Sequence, residues 1–333
     1  MHLIIGAGSV GTTLAAFLMK AGESVDLYVK PERFKSYTEL SGSRSPCTTL
    51  NFVYLNKTKA FPAPRIVDKI CLDGIHYIYL ATKHYSLNEA LALLPEPLPE
   101  SVSLIPCMNG ISASKIILNR FPHTKIIPIT VMFNAKWRSP LNVEITTKPQ
   151  LFLPYSDRKL VKVFQRSGFT TKASSESLEW GKLLLNLNNP ICTLTHCTFI
   201  DAFTDIHLRR ILVAMLDEAT TVLTRANIPY RLPMPIPYTL FRLFLLYARV
   251  LPWSLKKVIP SNRNRAHPSM ARDIENNLST EIDQINGEIV ALGKQLKIAT
   301  PVNSKVVAAL KQLEHSQSKE YISTSALSAL VLS

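Results

Sequence analysis

Three glycines near the start of the chain are spaced as in a loop that holds phosphate groups. They directly follow a short apolar segment and open a helical pattern, in the run Gly6-Ala7-Gly8-Ser9-Val10-Gly11. In such a loop the first glycine permits a tight turn, the second lets the backbone approach a pyrophosphate, and the third lets the helix pack close to the strand. The positive end of the helix dipole then faces the anion. The spacing therefore predicts a dinucleotide-binding loop.

The residue after the second predicted strand distinguishes between two dinucleotides. NAD-binding folds usually place Asp or Glu there, about 20 residues past the glycines, to accept a hydrogen bond from the ribose 2′-hydroxyl. Here the position holds Lys30, and Arg33 follows it. A cation suits the 2′-phosphate of NADP, so the sequence predicts NADP(H). The alternative is that Lys30 is a solvated surface lysine.

A lysine stands among leucines in the second half of the chain. In the predicted helix Glu179–Leu187, Lys182 and Asn186 are one turn apart, and Asn189 follows at the spacing of the same face. Partial burial lowers the pKa of a lysine and lets it donate a proton to a carbonyl oxygen near neutral pH. This pattern predicts a general acid. The alternative is a surface lysine with asparagines that cap a short helix.

A second polar row accompanies the predicted helix Met270–Lys297. It contains Ser269, Asp273, Asn277 and Glu281 at intervals of four, beside an apolar stripe. Glu281 lies at the border of the apolar stripe, so we expect a half-desolvated carboxylate that can pair with a lysine or accept a hydrogen bond from a substrate hydroxyl. Such a row is more often a solvated face; its place downstream of a nucleotide loop favours a site.

Short apolar runs alternate with helical patterns in the first half of the chain. A helix is predicted from Val10 to Ala21, between the first two of the predicted strands His2–Gly6, Ser24–Val29, Tyr77–Ala81, Ser103–Pro106 and Lys125–Met132. Strand, helix and strand at this spacing predict a largely parallel sheet covered by helices. Shorter strands, expected as antiparallel additions to the sheet edge, are predicted at Val143–Ile145, Gln150–Leu153 and Phe169–Lys172.

After about residue 175 the pattern changes to helices with few strand signals. They are predicted at Glu179–Leu187, Leu208–Ala226, Met270–Lys297 and Val302–Glu314. We therefore predict an α/β protein with two domains, a nucleotide-binding sheet domain over 1–172 and an all-helical domain over 173–333. The tail after Ser316 is expected to be poorly ordered.

The charge of the chain suggests an anionic partner. The 333 residues contain 38 Lys and Arg against 24 Asp and Glu, a net charge of +14, which would suit nucleic acid, a membrane surface or a phosphorylated small molecule. No nucleic-acid-binding motif is recognisable. The apolar stretch Pro235–Trp253 is interrupted by Arg242 and Arg249, so it is expected to be a packed helix, with a helix lying on a membrane surface as the alternative. A small anionic partner, without nucleic acid or membrane, is the prediction.

The cysteines carry information about compartment and metals. They number five and form no CxxC pair, which is typical of reduced thiols in a cytoplasmic protein. Cys192, His196 and Cys197 lie close together but match no common zinc spacing, so no metal site is predicted.

These segments resemble the ketopantoate reductase family, whose members reduce a 2-keto acid with NADPH. The resemblance spans nearly the whole chain. It is carried by the runs GAGSVG, ATKHY around Lys83, MNG with Asn109, WGKLLLNLNNP, and SMARDIENNLSTEIDQINGEIV. It implies a Rossmann-type sheet domain followed by an all-helical domain.

The resemblance also implies a role for each matching residue. Lys182 is similar to the general acid that protonates the keto oxygen, and Glu281 to the group that contacts the substrate hydroxyl and orients the lysine. The positions that match substrate-binding ones are Asn109, Asn186, Ser269 and Asp273, the last as a support of the substrate-binding helix. The positions that match NADPH-binding ones are Gly6, Ala7, Gly8, Ser9, Val10, Gly11, Lys30, Lys83 and Asn109.

Two departures from the family pattern leave alternatives open. The second asparagine that many relatives carry is replaced somewhere among Asn188, Asn189 and Cys192, and residues 276–279 lack the usual basic residue and glycine. The leading hypothesis is NADPH-dependent reduction of 2-dehydropantoate to pantoate in pantothenate biosynthesis. The alternatives are a paralogous reductase of another 2-keto acid and a non-catalytic NADP-sensing protein. A homodimer is left open.

Overall fold

The computed structural model describes residues 1–39, 49–54, 57–233, 236–247 and 267–333. The chain divides into two units. Unit 1 comprises residues 1–108 and 113–175, and unit 2 comprises residues 109–112 and 176–333.

The described residues of unit 1 form three sheets and the helices that cover them. The strands in its described part are β1 His2–Ile5, β2 Val25–Tyr28, β3 Thr49–Tyr54, β4 Lys57–Pro62, β5 Arg65–Val67, β6 Tyr77–Leu80, β7 Ser103–Pro106, β8 Lys125–Ile126, β9 Thr130–Val131, β10 Ala135–Ser139, β11 Asn142–Ile145, β12 Gln150–Leu153 and β13 Thr170–Ala173. The helices before residue 175 are α1 Ser9–Lys20, α2 Phe34–Thr38, α3 Leu87–Ala92, α4 Ser112–Arg120 and α5 Arg158–Ser167.

The main sheet has six strands in the order β5-β2-β1-β6-β7-β8, and every neighbouring pair is parallel. Strands β1, β2, β6 and β7 are buried at every position, as expected for a parallel sheet with helices on both faces. The order reverses between β1 and β6. In open α/β sheets the carboxyl ends of the strands at such a switch point form the ligand crevice. The predicted Rossmann-type parallel sheet is confirmed.

The shorter predicted strands do not extend the main sheet. They belong to a four-stranded sheet, β10-β11-β3-β4, and a three-stranded sheet, β13-β12-β9. Strands β12 and β13 pair in parallel with α5 as the crossover between them, and only β9 is antiparallel to β12. The prediction of antiparallel edge additions was wrong, because local alternation does not determine which strand a segment pairs with.

Unit 2 is helical in its described part, as predicted. Its helices are α6 Glu176–Asn186, α7 Asn188–Leu194, α8 Asp201–Thr204, α9 Ile206–Arg225, α10 Tyr238–Tyr247, α11 Ser269–Glu275, α12 Asn286–Gln295, α13 Pro301–His315 and α14 Thr324–Leu332. Helix α9 packs against α7, α8, α10, α12, α13 and α14. Asp205 caps its first turn by accepting hydrogen bonds from the amides of His207 and Leu208.

The predicted continuous helix Met270–Lys297 was wrong. Helix α11 ends after about two turns, because Asn277 adopts a left-handed conformation with φ of +53°. The Leu278 amide donates to the carbonyl of Asp273 at 2.8 Å, and the Asn277 amide donates to that of Ile274 at 3.1 Å, which is the Schellman pattern of a helix end. Glu281 therefore lies in the turn before α12, on neither helix.

The helix that carries Lys182 begins three residues before the predicted Glu179–Leu187 and ends one residue before it. Helix α6 ends at Asn186 and a new helix, α7, begins at Asn188. Pro190 falls in the first turn of α7, where its missing N–H breaks no helical hydrogen bond. Asn189 is thus on a different helix from Lys182.

The tail after Ser316 is ordered, contrary to the expectation. Helix α14 is capped by the Ser323 hydroxyl, which accepts from the Ala326 amide, and it packs against α9. Its residues Leu327 and Val331, one turn apart, are buried. That pair supplies the apolar stripe that orders the tail.

The apolar segment around α10 is held by a surface ion pair. Arg242 donates two hydrogen bonds to Asp217 of α9, at 2.7 and 2.8 Å. Arg249 lies outside the described residues. Among the residues described, no helix combines the length and the apolar character that a membrane span requires.

Candidate functional site

The glycine loop joins β1 to α1 at the switch point of the main sheet. Gly6 has φ of +114°, and a Cβ there would lie 2.7 Å from the backbone of Ala81, which follows β6. A Cβ on Gly11 would lie 1.9 Å from the carbonyl oxygen of Gly6. A Cβ on Gly8 would meet no atom within 4 Å. Two of the glycines therefore permit close packing, and the third leaves open space in front of the helix.

The N-terminus of α1 has donors to offer an anion. No side chain caps it and its first turn contains no acidic residue, while Lys20 stands in its last turn. Helix N-terminal amides without internal partners attract phosphate groups, and the helix dipole acts in the same direction. The hydroxyl of Tyr37 donates a hydrogen bond to the carbonyl of Ala7 at 2.8 Å, which helps to fix the loop.

A buried hydroxyl lies beside the loop. Thr82 follows β6, and its Oγ1 makes no hydrogen bond to any described group. Buried polar groups normally have partners. An unpaired hydroxyl next to Gly6, together with the open space at Gly8, fits a site for the pyrophosphate of a dinucleotide.

The two lysines predicted to contact the cofactor follow β2 and β6, the two strands that neighbour β1 in the main sheet. Lys30 comes two residues after β2 and is half-exposed; its ammonium donates to the carboxylate of Glu89 on α3 at 2.6 Å. That hydrogen bond raises the pKa of Lys30. Lys83 comes three residues after β6 and is partly buried. Any 2′-phosphate at Lys30 would compete with Glu89 for the ammonium.

In unit 2 the structure brings two predicted site residues together. The side-chain amide of Asn109 donates to the carboxylate of Glu281 at 3.1 Å, and Glu281 is only 5% exposed. A buried carboxylate is stabilised by such hydrogen bonds, because burial removes most of its water. The pair fixes one carboxylate oxygen and leaves the other available to a ligand or a second donor.

The segment 109–112 is fastened to the turn that carries Glu281. Gly110 has φ of +93°, and a Cβ there would lie 2.8 Å from the carbonyl oxygen of Gln284. The amide of Ser112 donates to the carboxylate of Glu288 on α12 at 3.1 Å. Asn109 is therefore positioned by backbone packing and a second hydrogen bond, independently of its own contact with Glu281.

The remaining predicted residues of unit 2 lie on two helices, α6 and α11. Lys182 and Asn186 are one turn apart on α6 and both are partly buried. Ser269 begins α11 and is exposed, while Asp273, one turn later, is buried. Helix α11 packs against α7, where Asn188 holds a buried Oδ1 that has no hydrogen-bond partner in the described part of the chain. Asn188 is thus a candidate for the replaced family asparagine.

The described cysteines are free thiols. Cys192 is buried and Cys197 is partly buried, and burial raises the pKa of both thiols. Over the described residues, no cluster of three metal-ligating side chains is found. Cys47 lies outside the described residues.

Sequence reasoning missed three residues of the nucleotide loop's surroundings: Tyr37, Thr82 and Glu89. Tyr37 and Glu89 contact the loop or its lysine across 30 and 59 residues of sequence, so no local pattern could reveal them. Thr82 had a local signal, since it follows a predicted strand directly within ATKHY.

The fold and the loop define the class of protein: a dinucleotide-binding protein with a Rossmann-type sheet unit and a helical unit. Comparison with known families then gives the family. Residues 2–158 match the family described as ketopantoate reductase PanE/ApbA, and residues 175–314 match ketopantoate reductase PanE/ApbA C terminal. The chain belongs to the ketopantoate reductase family.

Individual relatives are distant but match along their full length. The 2-dehydropantoate 2-reductase of Aquifex aeolicus is 23% identical, over 94% of this chain and 96% of that protein. That of Vibrio cholerae is 26% identical, over 95% and 99%.

Solved structures share the fold. A PanE/ApbA family ketopantoate reductase from Ralstonia eutropha superposes with a TM-score of 0.76 at 19% identity, over 94% of this chain and 98% of that one. D-mandelate dehydrogenase with NADH and anilino(oxo)acetate has a TM-score of 0.78 at 21% identity, with the same coverage of both chains.

Proposed function

We propose that this chain reduces 2-dehydropantoate to pantoate with NADPH. The observation that carries the proposal is the buried Glu281 carboxylate held by Asn109, in a chain of the ketopantoate reductase family. Burying a charged carboxylate costs desolvation free energy, which an apolar side chain of similar size would avoid. A carboxylate kept in a buried position therefore suggests a role beyond packing. A buried carboxylate with one oxygen already fixed is suited to orient a polar ligand.

The nucleotide would be held by the loop of unit 1. The amides from Gly8 to Gly11 would bind its pyrophosphate, and Lys30 with Lys83 would bind its remaining phosphate groups. A nicotinamide cofactor supplies a hydride to the carbonyl carbon of the substrate. The cation at position 30 is the reason to propose NADPH over NADH, because an acidic residue is the usual partner of the bare ribose.

Lys182 would donate a proton to the keto oxygen of the substrate. It lies on α6 between the buried residues Gly181 and Leu183 and is itself partly buried. Proton donation by a positioned side chain contributes typically about 10²–10⁴-fold to a rate. Asn186, one turn further along α6, would hold the same substrate.

The other substrate contacts would come from the turn and from α11. Glu281 would accept a hydrogen bond from the substrate hydroxyl and orient the ammonium of Lys182. Ser269 would bind the substrate carboxylate through the exposed first turn of α11, whose amides favour an anion. Asp273, buried one turn below, would support α11.

A second candidate is the reductase of a different 2-keto acid. The similarity in fold to D-mandelate dehydrogenase favours it, since that enzyme is described with anilino(oxo)acetate, which is not a pantoate precursor. The departures from the family pattern at residues 276–279 also fall beside Glu281. A panel of branched and aromatic 2-keto acids, assayed by NADPH consumption with the purified chain, separates the two candidates by their kcat/KM values.

The proton donor is tested by Lys182→Ala, with Lys294→Ala as the control because Lys294 is an exposed lysine on α12. We expect kcat to fall by about 10²–10⁴-fold in Lys182→Ala, while the Kd for NADPH stays within about twofold. The control should match the wild type. Undiminished turnover in Lys182→Ala would show that this lysine is not the acid, and a parallel loss of NADPH binding would show that it acts on the cofactor.

A further inference from the structure

A cavity of about 300 Å³ lies in unit 1 between the last turns of α1 and the β3–β4 hairpin strands. Its apolar floor contains Phe17 of α1, Phe52 of β3 and Phe61 of β4. The rings of Phe17 and Phe52 meet edge to face with centroids 5.1 Å apart, and those of Phe52 and Phe61 are 6.3 Å apart. The volume is at the lower end of the range of small-molecule sites, which are mostly apolar with a few polar groups.

Three lysines surround this floor. Lys57 and Lys59 lie opposite Tyr54 and Phe52 in the register of β3 and β4, so they share a strand face with the aromatic rings. Lys20, the last residue of α1, also lines the cavity, and a Cβ on Gly168 would lie 2.7 Å from its Nζ. We call this feature the lysine-rimmed cavity.

The lysines are exposed, and in the described part of the chain none of the three forms an ion pair. The lining residues include no carboxylate. Three cations around one apolar floor repel one another, and an anion placed among them relieves that repulsion.

Edge protection explains only part of this arrangement. Strand β4 is at the edge of its sheet, and inward-pointing charges on an edge strand discourage pairing with another chain. That role would account for Lys57 and Lys59. It does not account for Lys20, which comes from a helix, or for the cavity that all three lysines line.

We propose that the lysine-rimmed cavity binds a small amphipathic anion, with an acyl or aromatic body against the phenylalanines and an acidic head group between the lysines. The site is separate from the nucleotide loop. The loop is at the N-terminus of α1, and the α1 residues that line the cavity, from Ala16 to Lys20, lie about 10–17 Å further along the helix. A ligand there would stabilise the folded state of unit 1 by mass action.

The test uses decanoate as the probe and decanol as its uncharged counterpart, titrated calorimetrically into the full chain. We expect decanoate to bind saturably at one site, and decanol to bind at least about tenfold more weakly. The double variant Lys57→Gln/Lys59→Gln should weaken decanoate binding by about tenfold, which is the effect of losing one to two charge-assisted contacts at an exposed site. Phe61→Ala should weaken both probes.

The control variant is Lys115→Gln/Lys162→Gln, which removes the same charge from exposed positions of unit 1 that do not line the cavity. Its affinity for decanoate should stay within about twofold of the wild type. Equal weakening in the two double variants, or the absence of saturable binding, would overturn the proposal. NADPH affinity should be unchanged in all these variants; a parallel loss would show that the cavity is not a separate site.

Discussion

Alanine at Gly11 and alanine at Gly8 should have opposite consequences for stability. At Gly11 the new Cβ would lie 1.9 Å from the Gly6 carbonyl oxygen, about 1.5 Å short of ordinary van der Waals contact. The oxygen belongs to the backbone and the Cβ is bonded directly to the backbone of α1, so neither can turn aside and α1 must move away from Gly6. Overpacking of this kind costs about 1–3 kcal/mol, and we expect the free energy of unfolding of Gly11→Ala to fall by at least that amount.

At Gly8 the same methyl group would have no atom within 4 Å. The residue has φ of −84° and ψ of −166°, which alanine adopts without strain, and its Cβ would point into open space. Alanine also reduces the entropy of the unfolded chain, so Gly8→Ala should be as stable as the wild type or gain about 0.4–1 kcal/mol. If that space receives the pyrophosphate, the methyl group should weaken NADPH binding by tenfold or more, which is about 1.4 kcal/mol.

Two measurements separate these effects. Urea unfolding without nucleotide gives the free energy of unfolding, and fluorescence titration with NADPH gives the Kd. Gly8→Ala should raise the Kd without any loss of stability, whereas Gly11→Ala should lower the free energy of unfolding. Wild-type affinity in Gly8→Ala would refute the assignment of the loop to pyrophosphate binding. Wild-type stability in Gly11→Ala would refute the close approach of helix and strand.

Two further predictions concern charges in unit 1. Glu89→Gln removes the carboxylate that pairs with Lys30, so NADPH affinity should rise by up to about fivefold, the effect of an exposed ion pair. NADH affinity, measured by the same titration, should be unchanged. Equal gains for both nucleotides would contradict a 2′-phosphate role for Lys30. Burial lowers the pKa of His2 from 6.5 to about 4, although Glu23 acts in the opposite direction. Between these pH values His2 is protonated in the unfolded chain and neutral in the folded chain. The free energy of unfolding should therefore fall by up to about 3 kcal/mol as the pH drops from 6.5 to 4. His2→Gln should lack this part of the loss in urea unfolding at each pH, and parallel curves for the two proteins would disprove it.

Contiguous signals predicted the nucleotide half of the site. The loop from Gly6 to Gly11, the strand before it and the helix after it occupy one short stretch, so spacing alone determines their arrangement. The four buried strands of the main sheet were predicted within one or two residues, because a fully buried strand reads as an uninterrupted apolar run.

Hydrophobic periodicity predicted the wrong end for the helix that begins near Met270, because a helix-terminating residue interrupts it. The apolar stripe after Met270 continues in the helical register, yet Asn277 ends α11 with its left-handed backbone and moves Glu281 into a turn. Asparagine at such a position is a known helix terminator, so the signal was present in the sequence. Ile282 and Ile285 are still buried, because a turn can bury the same side chains as a helix.

By itself, the sequence determined the class of fold, the phosphate loop and the identity of the residues that could do chemistry, because these depend on residue types and on spacings of a few positions. Only the tertiary structure decided their partners. Asn109 and Glu281 are 172 residues apart in sequence, and Lys30 meets Glu89 across 59. The lysine-rimmed cavity needs a helix and two strands to pack before it exists. Contacts of this kind are set by packing between elements, which no local pattern encodes.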